Sequence, residues 1–347
     1  MSATLAHETE DERLSPLERW TRLLGGGWIF ALLIALIAIF TTLRPEQFAS
    51  GFNLSMLAVN AAILLVLSVG QTFVIIAAGI DLSVGTVLVF ASITSAQVML
   101  WLSGAAGETY GTTQGGWGVV FIGLIVALAS GAFWGAVNGA LVAIAGIPAL
   151  IVTLGTFGMA LGFAQIFTNG TDIRAVPETL VDQIGSGTIG GVPVLVVIAA
   201  AVAIVGAVVL HLTRFGVHVF AVGSDKEAAR RAGINVRRRL IAIYVLSGAL
   251  AGLAAMMATA RFATTTIGGH AMDNLSTISA VVLGGTSLFG GIGSIAGTVV
   301  GVFIPIVLLN GFVILGIPPF WQTVATGAVL ILAVWIDQLK RSARERS

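Results

Sequence analysis

Residues 274–336 read NLSTISAVVLGGTSLFGGIGSIAGTVVGVFIPIVLLNGFVILGIPPFWQTVATGAVLILAVWI, sixty-three positions without one charged side chain. In hydrocarbon every backbone amide and carbonyl must be bonded within its own segment, so a crossing takes an apolar helix of about 20 residues. This stretch exceeds two such helices and carries two natural breaks, Gly290-Gly291 and Pro318-Pro319. It divides into helices near 276–290, 293–315 and 318–336, the first too short to cross a whole bilayer.

The same count applied outward finds uncharged windows at 23–43, 47–80, 82–107, 109–171, 183–213 and 240–260, of which 109–171 is long enough for two helices. The reading is an all-α membrane protein of about ten transmembrane helices. Composition agrees: 57% of the 347 residues are hydrophobic and 10% charged, against about 25% charged in a soluble domain. A soluble enzyme is excluded. The absence of cysteine excludes disulfides, thiolate metal sites and cysteine nucleophiles, and a net charge of +1 leaves no basic field for nucleic acid.

Cytoplasmic ends of membrane helices collect Lys and Arg. Arg13, Arg19 and Arg22 at one terminus, with Lys340, Arg341, Arg344 and Arg346 at the other, put both termini in the cytoplasm and make the number of spans even. Ten spans then gather Arg214, Lys226, Arg230, Arg231, Arg237, Arg238 and Arg239 in one cytoplasmic loop, 214–239. Only Arg44, Arg174 and Arg261 of the seventeen basic residues are left outside. Residues 1–26 read as a cytoplasmic tail and interfacial helix anchored by Trp20, 27–338 as a single transmembrane domain and 339–347 as a cytoplasmic tail. No small-residue cleavage site follows the first helix, which is expected to be retained as an anchor.

Glycine pairs recur at four-residue spacing, Gly131/Gly135, Gly248/Gly252 and Gly297/Gly301, the pattern by which membrane helices approach closely. Val66-Leu67-Ser68 precedes Asn138-Gly139, and Val245-Leu246-Ser247 precedes Asn310-Gly311, at similar distances. With ten spans the matching helices run in opposite directions, an inverted 5+5 repeat of the kind transporters use.

Two segments carry chemistry. In Gly223-Ser224-Asp225-Lys226-Glu227-Ala228-Ala229-Arg230-Arg231-Ala232-Gly233, Ser224 is expected as an N-cap, Glu227 as its capping-box partner and Gly233 as the left-handed stop. The product is a short cytoplasmic helix bearing both signs of charge, a knob for a soluble partner. Asp81 is the lone acid in an otherwise apolar stretch between Gly79 and Gly85. Such residues are costly in a membrane and functional by default. Three roles stand open: capping the helix that begins near Ser83 at the cytoplasmic edge, gating or lining a substrate path, and carrying protons.

Glu227-Ala228-Ala229-x-x-x-Gly233 resembles the coupling-helix motif of ABC importer permeases. Gly79-Ile80-Asp81-Leu82-Ser83-Val84-Gly85, Val281-Val282-Leu283-Gly284-Gly285-Thr286-Ser287-Leu288 and Leu309-Asn310-Gly311 look like the carbohydrate branch that includes ribose-type permeases, and the resemblance runs from about 50 to 340. The Leu-Pro ending that follows the coupling glycine in other importer branches is missing. The resemblance implies a permease subunit in a bacterial inner membrane, partnered by a second permease copy in a homodimer, cytoplasmic ATPase subunits and an extracytoplasmic sugar-binding protein. Ser224, Asp225, Glu227, Ala228, Ala229, Arg230 and Gly233 would dock the ATPase. ATP and Mg would sit on that partner, because this chain has no Gly-x4-Gly-Lys-Ser/Thr phosphate loop. A sugar path needs flat faces, amides and hydroxyls; Trp134, Asn138, Thr153, Phe157 and Asn310 supply them, beside Asp81 and Ser83.

The rival readings are weaker chemically. A proton-coupled sugar symporter needs titratable groups in its core, where Asp81 stands alone. An intramembrane protease needs a Ser–His pair, a carboxylate dyad or a His-Glu-x-x-His zinc motif, and none is visible. The topology makes a direct prediction: single cysteines at Ser224 and Ser186 label from opposite sides of the membrane with an impermeant thiol reagent, and labelling of both from one side would contradict it.

Overall fold

The computed structural model describes residues 28–345 except 107, 109, 110, 271 and 272. The 1–26 tail and the last two residues lie outside that range. Helices α1 (Trp28–Leu43), α2 (Pro45–Phe48), α3 (Gly51–Ile76), α4 (Val84–Leu102), α5 (Trp117–Ala143) and α6 (Ala149–Thr168) make up the first half. A single turn α7 (Glu178–Leu180) then runs into a π-helical turn, Val181–Gly185. Helices α8 (Val194–Leu212), α9 (Arg214–Ser224), α10 (Lys226–Arg231), α11 (Val236–Phe262), α12 (Asp273–Leu283), α13 (Ile295–Ile314) and α14 (Pro319–Glu345) complete the chain. Two-residue strands tie the loops: β1 (Thr112–Thr113) pairs in parallel with β2 (Val176–Pro177), and β3 (Thr188–Ile189) pairs antiparallel with β4 (Val192–Pro193).

Each uncharged window is helical, and 109–171 holds two helices as expected. Among the described residues, seven helices are long and apolar enough to cross a membrane: α3, α4, α5, α6, α8, α11 and α13. The windows of α1 and α14 contain shorter apolar helical runs, and α12 has 11 residues. The first of the three helices expected in 274–336 stops at Leu283, seven residues early. Gly285 adopts φ +87°, a left-handed conformation that ends the helix at little cost only in glycine. The chain then loops back, with the Ser287 amide donating to the Ile292 carbonyl at 3.0 Å. The last helix runs unbroken past residue 338 to Glu345.

Helix α3 is the central post, 89% buried over its apolar window, while α6 and α8 are 28% buried and lie at the periphery. The glycine pairs explain how α5 and α11 pack. A Cβ on Gly131 would overlap the Gly248 carbonyl, one on Gly248 the Gly131 carbonyl, one on Gly135 the Tyr244 carbonyl and one on Gly252 the Ala127 carbonyl. The backbones touch with no side chain between them. Gly297 and Gly301 repeat this on α13 against Gly284 and Ala280. Lipid tails compete with apolar side chains on equal terms, so such van der Waals contact is what holds membrane helices together.

Gly131→Leu and Gly248→Leu should each lower the melting temperature in detergent, because overpacking a close contact costs about 1–3 kcal/mol. Gly118→Leu, where a side chain would meet nothing within 4 Å, should leave it unchanged.

Candidate functional site

Residues 214–239 are mostly helix and not an open loop. Thr213 caps α9, its side chain accepting from the Gly216 amide at 3.4 Å, and Ser224 is the last residue of that helix. The expected capping box at Ser224 is therefore overturned. Asp225, in extended backbone conformation, caps α10, its Oδ1 accepting from the Glu227 and Ala228 amides at 2.8 and 3.0 Å. A carboxylate so placed also meets the positive end of the helix dipole, which a serine hydroxyl cannot exploit. Glu227 is left free for its own turn and accepts from Arg230 Nη2 at 2.6 Å. The backbone amides of Ala228 and Glu227 hold the Asp225 carboxyl below its ordinary value of 3.8.

The C-terminal reading of this helix stands. Gly233 has φ +81°, and the Ile234 amide donates to the Ala229 carbonyl at 3.1 Å, closing the helix in the usual glycine manner. Ala229 faces inward and is buried. Asp225, Lys226, Glu227, Ala228, Arg230 and Arg231 are exposed. The chain thus presents a capped, charged turn of helix, clamped at both ends by α9 and α11.

The second constellation lies in the turn between α3 and α4. Asp81 Oδ1 accepts from the Ser83 amide at 2.9 Å and from the Ser83 hydroxyl at 2.6 Å. Asn138 Nδ2 on α5 donates to Ser83 Oγ at 2.9 Å, and Thr156 Oγ1 on α6 donates to Asn138 Oδ1 at 2.7 Å. Thr153 Oγ1, one turn earlier on α6, donates to the Ile80 carbonyl at 3.1 Å. Asn274 Nδ2 on α12 donates to the Leu82 carbonyl at 3.0 Å. All these side chains are buried. The turn is therefore pinned to three helices by directed bonds, which in a low-dielectric interior are costly to break.

Of the sequence candidates, Asp81, Ser83, Asn138 and Thr153 come together. Trp134 is one turn from Asn138 but sits in an aromatic cluster, edge-on to Phe90 at 5.7 Å and near Phe133 and Phe163. Phe157 is half-buried on α6 and joins neither group. Asn310 lies elsewhere, paired amide to amide with Asn53 at 2.8 and 3.1 Å. Sequence reading missed Thr156, Asn274 and Asn53. The Thr153/Thr156 spacing, three residues apart on one helix face, was a legible signal for the first; the other two make contacts across 192 and 257 residues of chain.

At the far end of α8, which is about 28 Å long at 1.5 Å per residue, Gln114, Trp117, Glu178, Thr179, Asp182 and Gln183 line an open depression of about 640 Å³. The molecule thus has a capped, charged helix at one end of the bundle, a polar depression at the other and a buried hydrogen-bonded turn between α3 and α4. Seven helices long and apolar enough to cross a membrane, packed around α3, make this the bundle of a multi-pass membrane protein.

The comparisons give the class its name. Residues 53–334 match the family described as the permease component of branched-chain amino acid transport systems. The ribose import permease protein RbsC of Escherichia coli (strain K12) is 36% identical over 315 residues, covering 89% of this chain and 92% of that one. The fructose import permease protein FrcC of Rhizobium meliloti is 35% identical, covering 89% and 84%, and the xylose transport system permease protein XylH of Escherichia coli (strain K12) is 31% identical, covering 89% and 91%. No solved structure matches. The chain belongs to this permease family, in its branch of monosaccharide ABC importers.

Two outcomes test the geometry. Asn138→Leu strips partners from Ser83 and Thr156, and a buried hydroxyl left unpaired costs about 1–3 kcal/mol, so the melting temperature should fall. Asp225→Ala should speed hydrogen exchange at the Glu227 and Ala228 amides at neutral pH. Because the folded carboxyl lies below its ordinary value, protection in the native chain should persist above pH 3.8 and fade only as pH falls through the depressed value.

Proposed function

We propose that this chain is the membrane subunit of an ATP-driven importer that moves a monosaccharide, a pentose, hexose or related polyol, across a bacterial inner membrane. The observation that carries the reading is α10, a capped helix with exposed charges of both signs held rigidly between α9 and α11. Its relatives are import permeases for ribose, fructose and xylose. Cytoplasmic ATPase subunits, holding ATP and Mg, dock on α10, and an extracytoplasmic sugar-binding protein delivers cargo to the opposite face, where the depression around Trp117 and Asp182 lies. Two copies of the chain form the channel as a homodimer.

Ten spans with both termini inside complete the proposal. The packing of α3 on α11 supports the inverted repeat: Val66-Leu67-Ser68 and Val245-Leu246-Ser247 lie on these two helices, and a Cβ on Gly70 would stand 3.0 Å from Ser247 Cα. Asp81 acts by holding the α3–α4 turn against α5 and α6, a positioning and gating role that its bonds to Ser83 favour over proton carriage. Trp134, Phe157 and Asn310, outside that cluster, are assigned to the walls of the path.

Uptake into vesicles holding the chain with its ATPase and binding protein decides the matter. Uptake should require ATP and proceed without a proton gradient; uptake driven by a proton gradient without ATP would establish a symporter. Glu227→Lys, which reverses a charge on the docking surface and breaks the pair with Arg230, should abolish uptake or ATPase retention while the protein still inserts. Asp81→Asn, which keeps an acceptor oxygen, should retain partial activity with an unchanged pH dependence, and Asp81→Leu should retain little.

A further inference from the structure

Three segments distant in sequence meet at one point beneath the coupling helix. Gly223, next to last in α9, faces the last turn of α3 so closely that a Cβ would overlap the Ile76 carbonyl. That same carbonyl accepts from the Gly291 amide at 2.8 Å. Gly290 and Gly291, at φ +85° and +74°, turn the α12–α13 loop into the contact. A Cβ on Gly290 would stand 2.7 Å from the Gly223 carbonyl and from Ala78 Cβ, and one on Gly291 would stand 3.3 Å from Ser224 Cβ.

The Gly223–Ile76–Gly291 contact is made by backbone, with only the short side chains of Ala78 and Ser224 beside it. A side chain between two elements can change rotamer and absorb a displacement, whereas two backbones in van der Waals contact move together or separate. On one side of the contact, Ser224 is directly followed by Asp225, the cap of α10. On the other, Ile76 leads within five residues to Asp81, and the turn carrying Asp81 is bonded to α5 and α6 through Ser83, Asn138, Thr156 and Thr153 and to α12 through Asn274.

We propose that Gly223, Gly290 and Gly291 form a rigid joint that transmits displacement of the coupling helix to the α3–α4 turn, and through its hydrogen bonds to α6 and α12. These glycines are positioning residues for translocation; none touches cargo or nucleotide. The inference rests on the transport function proposed above and adds the route by which work at α10 reaches the bundle. A rigid joint makes two opposite demands. Prising it apart uncouples transport, and locking it shut does no harm.

Gly223→Ala prises it apart. In vesicles with ATPase and binding protein, sugar uptake should fall at least tenfold while the ATPase still co-purifies and hydrolyses ATP, so that more ATP is spent per sugar moved. The second variant locks the joint and guards against a mere folding defect. The chain has no cysteine, so Ser224→Cys with Gly291→Cys introduces a single pair whose Cβ positions lie 3.3 Å apart, near disulfide geometry; because a side chain at residue 291 is strained at φ +74°, the reduced double variant is the reference for uptake. The pair should cross-link on oxidation, seen as a mass and mobility change, and uptake should stay within twofold of the reduced sample. Native uptake by Gly223→Ala, absence of the cross-link, or loss of uptake on oxidation that reductant reverses would each overturn the joint. Failure of the native chain to take up sugar with ATP would instead overturn the transport reading; cross-linking is read without transport and separates the two.

Discussion

Apolar side chains gain nothing by leaving lipid for one another, so this bundle depends on how closely its backbones approach. The seam between α5 and α11 meets that constraint with Gly131 and Gly135 facing Gly248 and Gly252, each against a carbonyl of the opposite helix. The α12–α13 contact uses Gly284, Gly297 and Gly301 in the same way. Close approach at these seams lets the bundle bury α3 almost completely while α6 and α8 remain at its edge. It also places Asn138, one turn from Gly135 on the seam face of α5, within reach of the α3–α4 turn.

That turn is the polar counterpart of the seam. Six side chains, two in the turn and four on α5, α6 and α12, bond one another and the Ile80 and Leu82 carbonyls around Asp81 and Ser83. Their burial makes each bond count, since an unpaired polar group away from water is expensive. The arrangement ties a non-helical segment, with Ala78 at φ +57°, to α5, α6 and α12. The charged helix α10 solves the opposite problem. It is exposed, its ion pair contributes little to stability, and its shape comes from the Asp225 cap and the Gly233 stop.

The capping error at Ser224 shows how such local readings go astray. Ser-x-x-Glu is a sound signature in isolation, but two acceptors stood side by side, and the chain entering from α9 decided between them. Because α9 continues helical through Ser224, that residue cannot take the extended conformation a cap requires, and Asp225 takes it instead. The early end of α12 has a different origin: the left-handed backbone of Gly285 stops the helix, and the loop after it is held at Gly290 and Gly291 by contacts with Gly223 and Ile76 that no local pattern announces.

Hydrocarbon length and the charge-free windows were sufficient for an all-helical membrane protein with a helix in each window, because the bilayer allows so few alternatives; the importer-permease family was legible only as a resemblance, carried by short contiguous segments such as Gly79–Gly85 and Glu227–Gly233. Asp81, Ser83, Asn138 and Thr153 were legible one at a time as polar residues in apolar surroundings. Tertiary structure alone decided that they share one network with Thr156 and Asn274, that Asn310 pairs with Asn53 instead, and that Gly223 rests on Ile76. Hydrogen bonds and backbone contacts between residues 18 to 257 positions apart depend on how the helices are arranged in space, and one helix's periodicity carries no record of which neighbour it will meet.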